Sequence, residues 1–441
     1  MSNRLARIPG ARIGVRYLLT SLGFWVLFNG GTFLWHQRFQ AFYFREPAIL
    51  GLTHLAAIGW LTTGLMGIMY ATLPATLGVR PNSLRMACAQ YWFQVVGIVG
   101  LVLTMSLVPY TEEAHSYINR ARVVFGLLTL VALVTFAHNT ASTVGRGKEW
   151  RLPEFHFIMA LFYLAITGLI GMSYVFYLNS GFTPPTMAYL KVHAHFAGLG
   201  WLALTLMGLT YKLLPLEVGV ESAPQRWGLA ASVLINLVLW GLFFGFSYGS
   251  PALMMGSALL GLIGLVCHSL QVHAIVHLTP PFPLPLDGGG QGRGDSIVTR
   301  GMKKRYSSLP YTLASCAFGL VAGLLGVLLT AGAVGTDVAV EYAYAYAAGA
   351  GWFGLYFTGQ MTWLMPVLLQ PDAARESLFE PGWVNLEFPG QVAGTALVTV
   401  GLLVGISLLV ALGAAVNLAA SLLGTLRTVR LCWAQPAVVE R

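Results

Sequence analysis

Three stretches of the 441-residue chain decide how the rest is read: HLAAIGWLTTGLMGIMYATLP from His54 to Pro74, HFAGLGWLALTLMGLTYKLLP from His195 to Pro215, and YAAGAGWFGLYFTGQMTWLMP from Tyr346 to Pro366. Counted from zero, each has Gly at +5, Trp at +6, Gly at +13 and Pro at +20, without a gap. Agreement at four uncommon positions in three segments is the mark of an internal repeat. The chain therefore reads as three four-helix units beginning near residues 1, 150 and 308. Their expected bounds are 1–149, 150–278 and 310–441, with 279–309 as a linker. Glycines on one face admit close helix contact in lipid, which puts the second helix of each unit at the centre. Packing and helix termination account for the Gly, Trp and Pro positions.

Composition names the solvent. Hydrophobic residues make up 56% of the chain and charged residues 9%, with a mean hydropathy of +0.70. A soluble domain carries about 25% charged residues, so an ordinary globular enzyme, a disordered chain and a secreted disulfide scaffold are all excluded. Apolar runs long enough to cross a hydrocarbon core of about 30 Å are centred near Leu27, Thr62, Gly100, Leu130, Leu164, Thr205, Val238, Leu259, Leu320, Leu355, Val400 and Ala420. The fold class is all-α: a polytopic membrane protein of about twelve transmembrane helices. The unbroken stretch from Pro389 to Trp433 is divided near Leu412–Ala415.

Twelve spans place both termini on one side, and 20 of the 25 Lys and Arg residues fall there. They include Arg4, Arg7, Arg12, Arg16, Lys303, Lys304, Arg305, Arg427 and Arg430. Arg38, Arg45, Arg120, Arg122 and Lys191 fall on the other. The positive-inside rule makes the termini cytoplasmic, in a cell inner (plasma) membrane. The net charge of +9 is thus a topology signal, and no nucleic-acid partner is expected. The four cysteines, Cys88, Cys267, Cys316 and Cys432, form no CxxC or CxxCH motif. The basic N-terminal arm leads straight into the first span, so no cleavable leader is expected. The linker, with PPFPLPL, DGGGQGRGD and MKKRY, reads as flexible and basic; its Lys303–Arg305 cluster is a candidate for docking or anionic lipid.

With histidines near the outer ends of the inner helices, the architecture resembles haem-copper oxidase subunit I and its relatives. That resemblance implies low-spin haem ligands on the second and tenth helices, the tenth through an HxH pattern. Here the HxH lies in KVHAHFAGLGW, residues 191 to 201, on the sixth helix. The resemblance also implies a reaction centre with a copper-binding histidine on helix 6, two adjacent histidines at helix 7 and HxH on helix 10. Helix 7, GLAASVLINLVLWGLFFGFSYG, has no histidine, and helix 10 carries Tyr344 and Tyr346 where HxH would stand. The complete dinuclear ligand set is absent, so catalytic reduction of oxygen is not expected. Whether the chain is an enzyme stays open; as an enzyme it would be an oxidoreductase.

Intramembrane histidines are functional candidates by default. His54, His193 and His195 lie at similar depth, and neutral imidazole ligates haem iron and other metals. His193 and His195 are roughly 200° apart around a helix, so they point to opposite sides. His54 and His195 occupy equivalent repeat positions, so a haem b between helices 2 and 6 calls for His54 with His193. The pair His54 with His195 remains as the alternative. The other two clefts would set His195 against Tyr344, and Tyr346 against Leu52. His195 with Tyr344 or Tyr346 admits a lone copper or a high-spin haem. Arg120 and Arg122, with Arg38 and Arg45, are candidate partners for haem carboxylates.

The remaining polar residues are read more plainly. His273 and His277 have the i, i+4 spacing of a metal chelate and stand at the end of helix 8, with His268 nearby. His138 and His156 read as helix-end polar groups, and Glu112, Glu113 and His115 as a solvated turn. All sixteen Asp and Glu fall in loops, tails or helix ends, which counts against a proton- or sodium-coupled transporter. Lys212 is expected to snorkel to the inner interface. The function expected is electron transfer or diatomic-gas binding at haem b, beside a respiratory or nitrogen-oxide partner. The rival is a cofactor-free membrane scaffold or assembly factor.

Overall fold

The computed structural model describes residues 9–41, 46–107, 111–180, 186–220, 223–278, 308–334, 338–369 and 381–433. Arg4, Arg7, Arg45 and the basic cluster Lys303–Arg305 lie outside them. Twelve long helices account for most of the described chain. The first unit holds α1 (Pro9–Leu34), α2 (Pro47–Leu77), α3 (Leu84–Ser106) and α4 (Glu112–Val144). The second holds α5 (Leu152–Ser180), α6 (Met187–Val218), α7 (Arg226–Tyr248) and α8 (Pro251–His277). The third holds α9 (Leu309–Thr330), α10 (338–369), α11 (Pro381–Leu403) and α12 (Ser407–Trp433). Eleven of these are long and apolar enough to cross a membrane, and the chain is a multi-pass membrane protein.

The repeated segments form α2, α6 and α10, and each contains a π-helical stretch of eight residues: Leu55–Thr62, Phe196–Ala203 and Ala347–Gly354. In repeat numbering all three run from +1 to +8, so His54, His195 and Tyr346 each stand immediately before one. The π-helix is rare and usually confined to single turns at functional sites; here it recurs three times at one depth. The three stretches touch one another pairwise about the bundle axis.

Glycine dictates what lies behind them. A Cβ on Gly59 would meet Phe24 of α1 at 3.2 Å, one on Gly200 would meet Tyr163 of α5 at 2.6 Å, and one on Gly351 would meet Phe318 of α9 at 2.5 Å. The glycines at +13 seat the same helices one layer further in: Gly67 against Leu18, Gly208 against Phe157, Gly359 against Tyr311. The glycines thus admit the first helix of each unit. Two of the tryptophans at +6 face sideways, towards position +8 of a neighbouring inner helix, while the ring of the third, Trp352, lies beside Gly319 of α9. Trp201 Nε1 donates to Thr62 Oγ1 at 2.8 Å, and the Trp60 ring would lie 2.5 Å from a Cβ on Gly354.

Two expectations about helix ends are corrected. Pro74, Pro215 and Pro366 lie inside their helices. In the first two, termination falls to Gly78 and Gly219, at φ +66° and +77°. Val79 and Val220 N–H then donate back to the Pro74 and Pro215 carbonyls at 3.0 and 2.9 Å, a capping pattern that favours glycine. The break between α11 and α12 is not at Leu412–Ala415. It sits at Gly405, φ +71°, where Ile406 N–H donates to Gly401 O at 2.9 Å.

Buried ions are few and paired. Lys212 does not snorkel; it donates to Glu154, which is only 1% exposed, and ties α6 to α5. Glu217 accepts from the backbone and hydroxyl of Ser308 at the start of α9. Glu387 meets Arg427 at 3.0 Å between α11 and α12, with side chains 1% and 9% exposed, and Arg427 Nη2 also donates to Thr362 of α10 at 3.1 Å. Three carboxylates placed near helix ends by sequence are therefore desolvated.

Two stability outcomes follow from these contacts. Gly354→Ala should lower the detergent-solubilised melting temperature, because overpacking costs about 1–3 kcal/mol; Gly349→Ala, with nothing within 4 Å of the new methyl, should leave it unchanged or raise it. Glu387→Gln should destabilise by about 3–5 kcal/mol, since one partner of a buried pair is removed, and Glu387→Gln with Arg427→Met should recover part of that loss.

Candidate functional site

A cavity of about 750 Å³ opens on two sides of α6. Towards α2 it is walled by α3, α4 and α5, with Met105, Gly126 and Gly171 among its lining. Towards α10 it is walled by α7, α8 and α9, with Phe246, Met254 and Gly326. His54, His193, His195, Tyr344 and Tyr346 all line it.

The HxH splits between the two sides, as its angular spacing requires. His193 points towards α5, where a Cβ on Gly171 would come within 3.1 Å of its Cε1, and its ring lies edge-on to Tyr174 at 6.3 Å. His54 lines the same cavity from α2. His193 Nδ1 is buried without a hydrogen-bond partner. His54 Nδ1 lies 2.9 Å from the Leu50 carbonyl one turn back. A carbonyl only accepts, so Nδ1 carries the proton and Nε2 keeps its lone pair.

His195 repeats that arrangement with Lys191 O at 2.7 Å. Its Nε2 faces Tyr344 Oη at 3.5 Å, the two rings stacked at 28° with centroids 6.3 Å apart. One turn outward, Lys191 Nζ and Glu341 Oε1 stand 3.9 Å apart across the same cleft. Both line the cavity. This ion pair was not singled out by sequence reasoning; Lys191 was recognised only as an outer-side charge.

Towards α1, between α10 and α2, the cavity is bounded by aromatic rings, Phe28, Trp60 and Tyr346 among them. Trp60 stacks on Trp25 and Phe28, with centroids 5.7 and 5.6 Å apart, and Phe28 stacks in turn on Tyr346 at 6.2 Å. Tyr346 and Leu52 both line the cavity, and Tyr346 also reaches α12. Its hydroxyl donates to the Asn417 side chain of α12 at 3.0 Å, in the amide orientation that also satisfies Gln391 and Thr395.

The arginines proposed for haem carboxylates are placed elsewhere. Arg120 is exposed, and neither it nor Arg122 lines the cavity. Arg122 closes the end of α3, donating to Thr104 O at 2.6 Å and Asn119 Oδ1 at 2.9 Å. Arg38 pairs with Glu46, the N-cap of α2. The reason is geometric: on α4 these side chains face outward or towards α3.

Two cofactors can be tested against these groups. For haem, an imidazole with a free lone pair and another with a buried nitrogen that has no hydrogen-bond partner line one largely apolar cavity from neighbouring helices, which fits bis-imidazole ligation. For copper, no group of three or more His, Cys, Asp or Glu side chains converges among the described residues. The donor set beside His195 therefore does not fit a copper centre built from those ligands.

No family model matches the chain, and no curated protein does. Among solved structures it is similar to a heme-copper terminal oxidase, determined as a dimer by cryo-EM, with a TM-score of 0.65 and 14% sequence identity over 97% of this chain and 85% of that one. The chain accordingly has the subunit I-like fold of a heme-copper oxidase.

Proposed function

We propose that the chain binds one haem b between His54 and His193 and serves electron transfer or diatomic-gas binding. The observation that carries this reading is a cavity lined by both imidazoles: His54 with Nε2 left free by its bond to Leu50 O, and His193 with a buried nitrogen that has no well-formed hydrogen bond. A buried polar atom without a partner costs about 1–3 kcal/mol, and ligation would remove that cost. The haem would supply a reversible one-electron change at its iron. This chain's own residues would hold the ring and exclude water. His54 is oriented by the Leu50 carbonyl, His193 is held against Gly171, and the apolar wall from α3, α4 and α5 keeps the dielectric low.

The wider setting belongs to the same reading: a plasma-membrane protein with cytoplasmic termini, working beside a respiratory or nitrogen-oxide partner. Support comes from the oxidase fold and from the placement of Lys and Arg. The absence of histidine from α7, and tyrosines in place of HxH on α10, separate it from oxygen reduction at a haem-copper pair.

Protein expressed with added haem precursor should show sharp, unsplit α and β absorption bands after dithionite, with one haem per chain by the pyridine assay. His54→Ala or His193→Ala should abolish the low-spin spectrum, whereas His195→Ala should retain it. A colourless, iron-free preparation would reject the proposal and leave the scaffold reading. Gly171→Val, which crowds the His193 ring without replacing a ligand, should reduce haem occupancy at equal protein yield.

A further inference from the structure

The last turn of α8 carries a feature that the cavity does not use. His273 and His277 stand one turn apart, their ring centroids 4.2 Å from each other and their planes 77° apart. Both side chains are exposed, and both lie within the regular helix Pro251–His277. Their neighbour His268 differs in kind: it is buried, and its Nδ1 is 2.9 Å from Tyr211 Oη. The imidazoles of His273 and His277 are left to the solvent.

We propose that His273 and His277 form a binding site for a borderline divalent transition metal, Cu²⁺, Ni²⁺ or Zn²⁺, at the junction of α8 with the linker. Helical i, i+4 spacing puts two side chains on one face about 5–6 Å apart at Cβ, and a pair of imidazoles on one helix face is a metal-ligand arrangement. Here the two rings already stand in contact, 4.2 Å apart at their centroids, on one face of the helix. No carboxylate is paired with either ring among the described contacts, so the donor set is all nitrogen. Nitrogen donors suit Cu²⁺, Ni²⁺ and Zn²⁺ and disfavour Mg²⁺ and Ca²⁺. Water completes the coordination shell. A metal held there would staple the final turn of α8 where the chain enters the linker. The site is independent of the haem proposal.

The test uses the full chain in detergent, without a polyhistidine tag. Titration with Cu²⁺, followed by calorimetry and electron paramagnetic resonance, should show one saturable site with nitrogen hyperfine structure from two imidazoles. Loss of a ligand should weaken binding by about 10- to 100-fold, at least the effect of losing an outer-shell partner, in either His273→Gln or His277→Gln. His138→Gln and the pair His54→Ala with His193→Ala should leave the titration unchanged. The proposal is overturned if no saturable binding occurs, or if the spectrum survives in His273→Gln with His277→Gln. Because both side chains are exposed, unchanged circular dichroism should accompany these substitutions; a variant that misfolds is replaced by His277→Asn, judged by the same hyperfine signature.

Discussion

The contact between each inner helix and the first helix of its own unit sets everything else. Lipid tails are as apolar as leucine, so helices in a bilayer associate through close packing and hydrogen bonds. Here the packing is aromatic against glycine, made three times: Phe24 on Gly59, Tyr163 on Gly200, Phe318 on Gly351. Any side chain at those glycines would push α1, α5 or α9 outward. With these helices fixed behind them, the inner three meet at the axis, in two cases through a +6 tryptophan against a small residue at +8, Trp201 on Thr62 and Trp60 on Gly354. The π stretches fall in the layer that makes both contacts. A wider helix turns more slowly per residue, so glycine can face backward and tryptophan sideways while position zero still addresses the cavity.

A threefold backbone does not give three equal clefts. Trp201 finds a hydroxyl at Thr62, whereas Trp60 finds the bare Gly354, and the Trp60 indole nitrogen is left without a partner. Trp25 and Phe28 then stack beside Trp60 between α10 and α2, so the cavity is walled there by aromatic rings. Beside α6 the same cavity reaches both His193 and His195. Asymmetry is thus introduced by side chains alone, on a frame whose helices repeat nearly residue for residue.

The repeat made this frame legible because its glycines and tryptophans are scarce and fixed in spacing. The π stretches were not legible: LAAIGWLT and FAGLGWLA contain only ordinary helix residues, and hydrogen-bond register leaves no trace in composition. Glycine also misled at the end of the chain. Gly405 and Gly413 both stand in the apolar run, and sequence cannot say which turns and which packs. Gly405 takes the left-handed conformation, while Gly413 brings α12 against α11, where a Cβ would lie 2.6 Å from Gly394 O. Buried charge was hidden similarly. Glu387 reads as a helix-end carboxylate until Arg427, forty positions later, is folded against it.

The candidate site was readable in part for a related reason. The opposed directions of His193 and His195 follow from angular arithmetic along one helix, which needs no tertiary knowledge. The fate of Arg120 and Arg122 depends on which face of α4 meets α3, and no local pattern reports that. What the two open clefts share is a device in the backbone: the histidine at position zero gives its Nδ1 proton to the carbonyl one turn earlier, Leu50 in one case and Lys191 in the other. Each then presents the same nitrogen to its cleft. What differs is the surroundings: His195 has the Tyr344 phenol opposite, 3.5 Å from its Nε2, and His54 has no such phenol among the described contacts. Two identical donors thus meet different neighbours, so the distinction is made by side chains such as Tyr344 and not by the fold that carries them.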